Sequence, residues 1–307
     1  MKLVTTTNVL APYVCGRSVA EPLSLLAQTP FRHVDLSFYS IIYPGSPWLA
    51  PGDGWKKEIE DCAEAAVRYG FDFRQAHSPD GEHFAPGEKR DALLLATSRT
   101  LEACRMLSIP HTVIHAASTP PDFDRFVPDN VAFYRLFADE SEKYGVDMLT
   151  ENTGSLWNPE YRLFTGAQMA DFVRAAGIPR LHVCWDTGHA NSEGRNQYED
   201  VLALGPELRA LHVQDNMGAA DLHLTPGMGT VNFDRLLEGL RAIGYTGDFT
   251  LEDGSTLRRT DLWPAYRQFN KDGDKLGKMP PAIAVKAASL SYDIARFMVE
   301  SYGYTAE

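Results

Sequence analysis

Acidic and imidazole side chains stand close together in two short segments of the chain. Asp186 and His189 lie three residues apart, around an expected strand break at Gly188. Asp221 and His223 lie two residues apart, so both side chains would face the same way in an extended segment. Side chains of these types transfer protons or bind divalent cations, and both uses need partners from elsewhere in the chain.

Further candidates fall at the ends of runs that are rich in β-branched, aromatic and aliphatic residues. Eight such runs are predicted to be strands, over residues 2–8, 31–38, 71–77, 111–115, 146–151, 181–186, 208–215 and 249–252. The polar residues at or near their ends are His77, His115, Glu151, Asp186, His212 and Glu252. Asp35 also lies near the end of its strand, but the sequence offers it no clear partner.

Segments with apolar residues at helical spacing separate these strands. The predicted helices cover residues 58–69, 88–106, 131–144, 166–176, 233–243 and 282–299. Glycines suited to a left-handed C-cap follow four of them, at Gly70, Gly145, Gly177 and Gly244. The alternation predicts an α/β fold with a parallel sheet, and eight strands favour one (β/α)8 TIM barrel over a doubly wound open sheet.

The whole chain is expected to be a single TIM-barrel domain. The barrel would cover residues 1 to about 265, followed by a C-terminal helical extension from about 266 to 307. That extension would cover the barrel or form a subunit contact, which is compatible with a homo-oligomer.

The strand ends predict where the chemistry lies. In TIM barrels the active site forms at the C-terminal ends of the strands. Several buried carboxylates meeting there would repel one another, and a divalent cation is the simplest way to satisfy them. Taken singly, His115 would be read as structural and Asp186 as a helix cap. The joint pattern favours a metal site.

Bulk properties restrict the class of protein. The chain has 307 residues and a net charge of −12, which argues against a partner bound through phosphate neutralisation, so nucleic acid is not expected. The four cysteines form no C-x-x-C pair and indicate reduced thiols. The sequence shows neither a convincing signal peptide nor a run long enough to span a bilayer. We therefore expect a cytoplasmic protein with no membrane partner.

Five motifs together resemble the xylose-isomerase-like superfamily, over residues from about 30 to 255. They are Glu151-Asn-Thr-Gly, Trp185-Asp-Thr-Gly-His-Ala-Asn191, His212-Val-Gln-Asp-Asn216, Asp221-Leu-His-Leu-Thr-Pro-Gly-Met-Gly229 and Leu251-Glu-Asp. This group includes ketose 3-epimerases, other sugar isomerases, inosose dehydratases and the endonuclease IV family.

The resemblance to ketose epimerases implies a specific site. One divalent ion (Mn, Co, Zn or Mg) would bind to the positions that match that family's ligands, which are Glu151, Asp186, His212 and Glu252. The ion would polarise the carbonyl and hydroxyl of a carbohydrate substrate, and Glu151 and Glu252 would exchange the proton through an enediolate. His189 matches a residue that binds substrate oxygens. The chain therefore resembles a metal-dependent sugar isomerase or epimerase.

The same resemblance leaves other activities open. In ketose epimerases an Arg follows the metal-binding His by about six residues, whereas here that stretch reads Met217-Gly-Ala-Ala220. The endonuclease IV family uses three zinc ions to cleave abasic DNA, and all nine of its ligand types have counterparts at His77, His115, Glu151, Asp186, His189, His212, Asp221, His223 and Glu252. His77, His115, His189, Asp221 and His223 would accordingly bind substrate or additional metal. A keto-inositol dehydratase and a non-catalytic sugar-binding barrel are further alternatives.

Two loops are expected to form a lid over a small molecule. They are the aromatic-rich segment over residues 37–48 and the loop over residues 157–162.

Overall fold

Eight parallel strands close into a barrel in the computed structural model, which describes residues 1–14, 16–117, 122–154, 161–254, 257 and 279–307. The strands are β1 (Leu3–Thr6), β2 (His33–Ser37), β3 (Asp72–His77), β4 (His111–Val113), β5 (Asp147–Glu151), β6 (Leu181–Asp186), β7 (Leu208–His212) and β8 (Phe249–Leu251). Neighbours in sequence are neighbours in the sheet, and β8 pairs with β1. Parallel bridging of Val213 with Leu251 completes the ring. The predicted TIM barrel is confirmed.

Helices pack around this barrel between the strands. They are α1 (Leu23–Leu26), α2 (Lys56–Tyr69), α3 (Glu88–Met106), α4 (Phe126–Arg135), α5 (Ala138–Tyr144), α6 (Gly166–Ala176), α7 (Thr187–Ser192), α8 (Gln197–Leu204), α9 (Phe233–Ala242) and α10 (Pro281–Ser301). All of the predicted strands and most of the predicted helices are present. The sequence analysis did not predict α1, α7 and α8, which are short.

One predicted helix is wrong. Residues 131–144 were expected to form a single helix, but the structure has α4 and α5 with a break at Leu136 and Phe137. At Phe137, φ is −109° and ψ is 0°, away from the ideal helical values of about −63° and −42°. This bend buries Phe137 in the core while Leu136 stays half exposed. Burial of the larger aromatic ring outweighs the continuity of the helix.

Two irregularities in strand register lie directly below the mouth of the barrel. Between β2 and β3 the register shifts after Val34, which pairs Asp35 with Gln75. Between β6 and β7 it shifts after Val183, which pairs Asp186 with His212. A bulge of this kind redirects side chains, because every residue beyond it changes its partner across the ladder.

The C-terminal helix α10 packs against the barrel wall. Tyr292 meets Phe31 edge-to-face, with ring centroids 5.0 Å apart, and Ala295 and Val299 are fully buried. Past the helix, the Glu307 carbonyl oxygen accepts a hydrogen bond from the Leu3 amide at 3.0 Å. The helical extension was therefore predicted correctly in position, although the domain boundary expected near residue 265 lies outside the described residues. In the described parts of the chain, every helix is too short or too polar to cross a membrane.

Left-handed helix caps provide a test of the local backbone. Gly177 caps α6 with φ 59° and ψ 32°, and nothing lies within 4 Å of the position that a Cβ would occupy. Gly177→Ala should therefore lower the free energy of unfolding by about 1 kcal/mol through backbone strain alone. Gly177→Asn should cost less, because Asn tolerates this conformation. Chemical denaturation of the three proteins checks this, and equal stability of wild type and Gly177→Ala would contradict it.

Candidate metal centre and active site

Four of the predicted site residues converge at the C-terminal mouth of the barrel. Glu151, Asp186 and His212 end β5, β6 and β7, and Glu252 directly follows β8. His212 Nδ1 lies 2.9 Å from Glu151 Oε2 and 3.4 Å from Glu252 Oε2. One potential ligand atom from each of the four residues lies within 4.8 Å of the others. The fold therefore brings residues from separate parts of the chain to one point.

A second group shares Glu151 with the first. His115 Nε2 lies 3.2 Å from His77 Nε2, and Glu151 Oε2 lies 3.8 Å from His77 Nε2 and 3.9 Å from His115 Nε2. The other ring nitrogen of His77 is hydrogen-bonded to the Ser78 carbonyl oxygen at 2.8 Å. The Nε2 atoms of both histidines are thus directed towards the carboxylate.

A third group combines the two short-spaced pairs of the sequence. Asp221 Oδ2 lies 2.9 Å from His223 Nε2 and 3.5 Å from His189 Nε2. His189 Nδ1 lies 3.2 Å from Glu151 Oε1, which joins this group to the others. The extended geometry predicted for residues 221–223 is wrong at His223, where φ is 45°. The turn brings the imidazole back onto its own neighbour Asp221.

Asp186 belongs to the four-residue group and also caps a helix, the two roles that the sequence left as alternatives. It ends β6 and its Oδ1 accepts a hydrogen bond from the His189 amide at 2.6 Å, so that it caps α7. The expected strand break at Gly188 is wrong, because β6 ends at Asp186 and helix begins at Thr187. Asn152 fixes the same turn, accepting from the Asp186 amide at 2.6 Å and donating to the Asp186 carbonyl oxygen at 2.9 Å. Oδ1 of Asp186 caps the helix, and its Oδ2 has no hydrogen-bond partner among the described residues.

Burial and mutual charge perturb the acids and imidazoles of the site. Burial raises the pKa of Asp186 to about 7, and the opposing charge of His189 only partly offsets this. Burial alone would also raise the pKa of Glu151, but the charges of His212 and His115 hold it well below its usual range. Burial would lower the pKa of His223, yet the Asp221 carboxylate raises it to about 10. The site thus retains protons that a bound cation would displace.

The donor set fits a divalent cation. Asp186 is fully buried, and its Oδ2 is without a hydrogen-bond partner among the described residues. A buried carboxylate oxygen left in this state is costly, and coordination to a cation removes the cost. Carboxylate oxygens with one or more imidazole nitrogens suit zinc and several other divalent ions. Glu151, Asp186, His212 and Glu252 would hold such an ion.

The loop that carries Asp221 and His223 is held at its base by Asp215. Its Oδ1 accepts hydrogen bonds from the Asn216 and Val231 amides at 2.8 and 3.0 Å. Its Oδ2 accepts from the Gly227 and Gly229 amides at 2.9 and 2.8 Å. A Cβ at Gly229 would collide with the Asp215 carboxylate and the Asn216 carbonyl oxygen, so the loop needs glycine there. Four backbone donors on one buried carboxylate fix residues 215–231 as a unit.

Two buried polar residues of the site, Gln75 and Gln214, were not predicted, and a third, Asp35, was noted near its strand end without a partner. Asp35 Oδ2 lies 3.4 Å from His212 Nε2, and Gln75 Nε2 lies 2.7 Å from the same nitrogen. Gln214 Nε2 donates to Asp221 Oδ1 at 2.6 Å. Gln75 and Gln214 each lie two residues from a site histidine in a strand-like segment. Because side chains alternate between the two faces of a strand, both glutamines lie on the inward face with the histidines. A polar residue at an inward-facing position was the feature of the sequence that could have identified them.

A cavity of about 530 Å³ opens over the three groups. Glu151, Glu252, Tyr39 and Ser40 line it, and the Tyr39 ring packs edge-to-face on His77 at 5.4 Å. Of the loop over residues 37–48, only the first part therefore borders the cavity. Its end is core, since Trp48 is 1% exposed. Most of the other loop considered as a lid, over residues 157–162, lies outside the described residues.

Comparison with known proteins places the chain in a family. The family described as "Xylose isomerase-like TIM barrel" matches residues 34–269, and the chain belongs to it. An uncharacterized protein of Methanocaldococcus jannaschii is 26% identical over 227 residues, which are 70% of this chain and 74% of the relative. A probable endonuclease 4 of Citrifermentans bemidjiense is 30% identical over 146 residues, 43% of this chain and 50% of the relative. A ketose 3-epimerase of Arthrobacter globiformis is 28% identical over 122 residues, 38% of this chain and 39% of the relative.

Solved structures agree with the fold over nearly the whole chain. A D-tagatose 3-epimerase-like protein superposes with a TM-score of 0.73 at 21% identity, covering 98% of both chains. A D-psicose 3-epimerase gives 0.72 at 19% identity, covering 97% of this chain and 99% of the other. The IOLI protein with a binding zinc atom gives 0.71 at 16% identity, covering 98% and 99%. At these identities the likeness establishes the barrel.

Asp215→Asn tests how the loop is held. The new amide would turn an N–H group towards two backbone donors, so the free energy of unfolding should fall by about 2 kcal/mol. Hydrogen exchange at the Gly227, Gly229 and Val231 amides should accelerate. Asp171→Asn is the control, because that side chain is 79% exposed and its ion pair contributes little. Unchanged exchange at all three amides in Asp215→Asn would show that the carboxylate does not hold the loop.

Proposed function

We propose that this protein is a divalent-metal-dependent isomerase or epimerase of a sugar or sugar derivative. The observation that carries the proposal is which of the four residues at the mouth of the barrel line the cavity. Glu151 and Glu252 line the cavity, where a substrate would lie, whereas Asp186 and His212 are not among the residues that line it. Two carboxylates beside the substrate can remove and return a proton next to a carbonyl, and a cation held between them would make that C–H group more acidic. Relatives and structural neighbours named as sugar epimerases support the same reading.

In the proposed reaction, the cation and the side chains around it have separate roles. A bound divalent ion supplies Lewis-acid polarisation of the substrate carbonyl and hydroxyl oxygens. One glutamate takes the proton from the carbon next to the carbonyl, which gives an enediolate, and the other returns a proton to the opposite face for epimerisation. His189, on the cavity wall, would hydrogen-bond a substrate hydroxyl through Nε2, because its Nδ1 is bonded to the Asn152 carbonyl oxygen. Both ring nitrogens of His223 already have partners, the Glu252 carbonyl oxygen and Asp221 Oδ2, so His223 would hold Asp221 at the edge of the cavity.

Charge-neutral substitution of either glutamate tests the proton transfer. Glu151→Gln and Glu252→Gln should each reduce turnover by at least about 100-fold, because an amide cannot accept the proton. Incorporation of solvent deuterium at the reacting carbon of a ketose should fall in parallel. Glu238→Gln, an exposed change in α9, is the matched control and should retain activity. Full activity in either site variant, with ketose turnover by the wild type, would exclude the mechanism.

A zinc phosphodiesterase acting on abasic DNA is the second candidate, and one observation favours it. All nine residues that match the endonuclease IV ligand types fall into three groups. Within each group, one potential ligand atom from each residue lies within 4.8 Å of the others. The first group is Glu151, Asp186, His212 and Glu252, the second His77, His115 and Glu151, and the third His189, Asp221 and His223. The relative named as a probable endonuclease 4 points the same way.

The metal content of the purified chain separates the two candidates. Elemental mass spectrometry of protein prepared without chelator should find about one divalent cation per chain, bound by the four-residue group. Asp186→Asn should lose this ion, and Asp221→Asn should keep it. Dialysis against a chelator should abolish ketose turnover, and added metal should restore it.

The alternative outcome is equally specific. About three zinc ions per chain, reduced in Asp221→Asn, would mean that the third group binds metal. Cleavage of a duplex with an abasic site by that preparation would then replace the isomerase proposal.

A further inference from the structure

Three large apolar side chains form an exposed stripe along the C-terminal helix α10. Ile283, Leu290 and Phe297 are 44%, 49% and 71% exposed, and each lies seven residues from the next. Residues seven apart lie on nearly the same side of a helix, so the stripe extends over about 21 Å of its length. Single exposed apolar side chains are ordinary, whereas a row of them on one face marks a contact surface.

The helix cannot roll to bury this stripe, because its opposite face is fixed to the rest of the fold. Tyr292 packs edge-to-face on Phe31, with ring centroids 5.0 Å apart, and Ser291 Oγ lies 2.7 Å from Thr225 Oγ1. Val299 is fully buried on the same side. The stripe therefore stays directed outward, where it is available to a partner.

Two opposite charges flank the stripe. Lys286 and Asp293 are both exposed and, on a helix with about 3.6 residues per turn, both lie to the same side of Leu290. By contrast, Arg296 and Glu300 near the end of the helix already pair with each other at 2.9 Å. The outward face of α10 thus has an apolar row with a positive and a negative group along one edge.

A second copy of the chain fits this pattern, because the face is complementary to itself. In two α10 helices that run antiparallel about a two-fold axis level with Leu290, this residue meets its own counterpart, and Ile283 meets Phe297 of the other copy. The same symmetry brings Lys286 to within one residue, about 1.5 Å along the axis, of the level of Asp293 in the other copy. Each contact is made twice, as in any two-fold interface.

We propose that the outward face of α10 is a self-association surface through which two copies of this chain form a dimer. Ile283, Leu290 and Phe297 form its apolar centre, and Lys286 and Asp293 form two symmetric ion pairs that fix the antiparallel direction. The inference does not depend on the proposed function, because none of these five residues lines the cavity.

Sedimentation velocity of the full chain over a range of concentrations tests the surface. The wild type should form a dimer, and Phe297→Glu should raise the dimer dissociation constant by at least about 30-fold, because it replaces a central apolar anchor with a charge. Leu136→Glu is the matched control and should leave the dissociation constant unchanged. Leu136 is likewise half exposed, but it lies between α4 and α5 and not on α10.

Exchange of the two charges tests the antiparallel arrangement. Lys286→Glu and Asp293→Lys each place like charges opposite one another, so each should weaken the dimer, whereas the double variant restores opposite charges and should recover it. A dimer whose dissociation constant none of the three single changes on α10 alters would overturn the inference. A wild type that stays monomeric at every concentration would also overturn it, and would assign the stripe to a different partner.

Discussion

The interaction on which the site depends is the repulsion among carboxylates that the barrel forces together in a buried place. Glu151 and Asp186 are almost completely removed from solvent, and one oxygen of Asp186 has no hydrogen-bond partner among the described residues. The pKa of Asp186 rises to about 7 because burial disfavours its charge. Such an arrangement stores an unfavourable energy that only protons or cations can release. It persists because the rest of the fold holds it in place.

That support comes mostly from hydrogen bonds to the backbone. Asn152 joins the ends of β5 and β6 through both polar atoms of its amide, and Asp186 caps α7 with its Oδ1. Asp215 gathers four amides and so fixes the loop that carries Asp221 and His223. Because backbone groups have little freedom, ligands supported in this way keep their separations whether or not a cation is present.

The sequence predicted the barrel and the convergence of the ligands because both follow from local periodicity. A polar residue that ends a parallel strand must lie at the mouth, whatever the register of the strand. The partner of Asp35 could not be predicted, for the opposite reason. Its partner His212 lies across the barrel, and the register shift that aims Asp35 inward leaves no local pattern. The break between α4 and α5 was missed because the burial of Phe137 depends on tertiary packing.

The number of bound cations determines which substrates the cavity can accept. Glu151, Asp186, Asp221 and Glu252 contribute four carboxylates, and Asp80 on the cavity wall a fifth, while no Lys or Arg lines the cavity in the described part of the chain. One divalent cation would offset two of these negative charges and protonated His223, whose pKa Asp221 raises to about 10, a third, which would leave a net negative site that disfavours a phosphorylated substrate relative to a neutral sugar. Three divalent cations exceed the five charges by one, and such a site attracts a phosphodiester. The same nine side chains are thus compatible with either chemistry, and the occupancy of the groups around His77 and Asp221 selects between them.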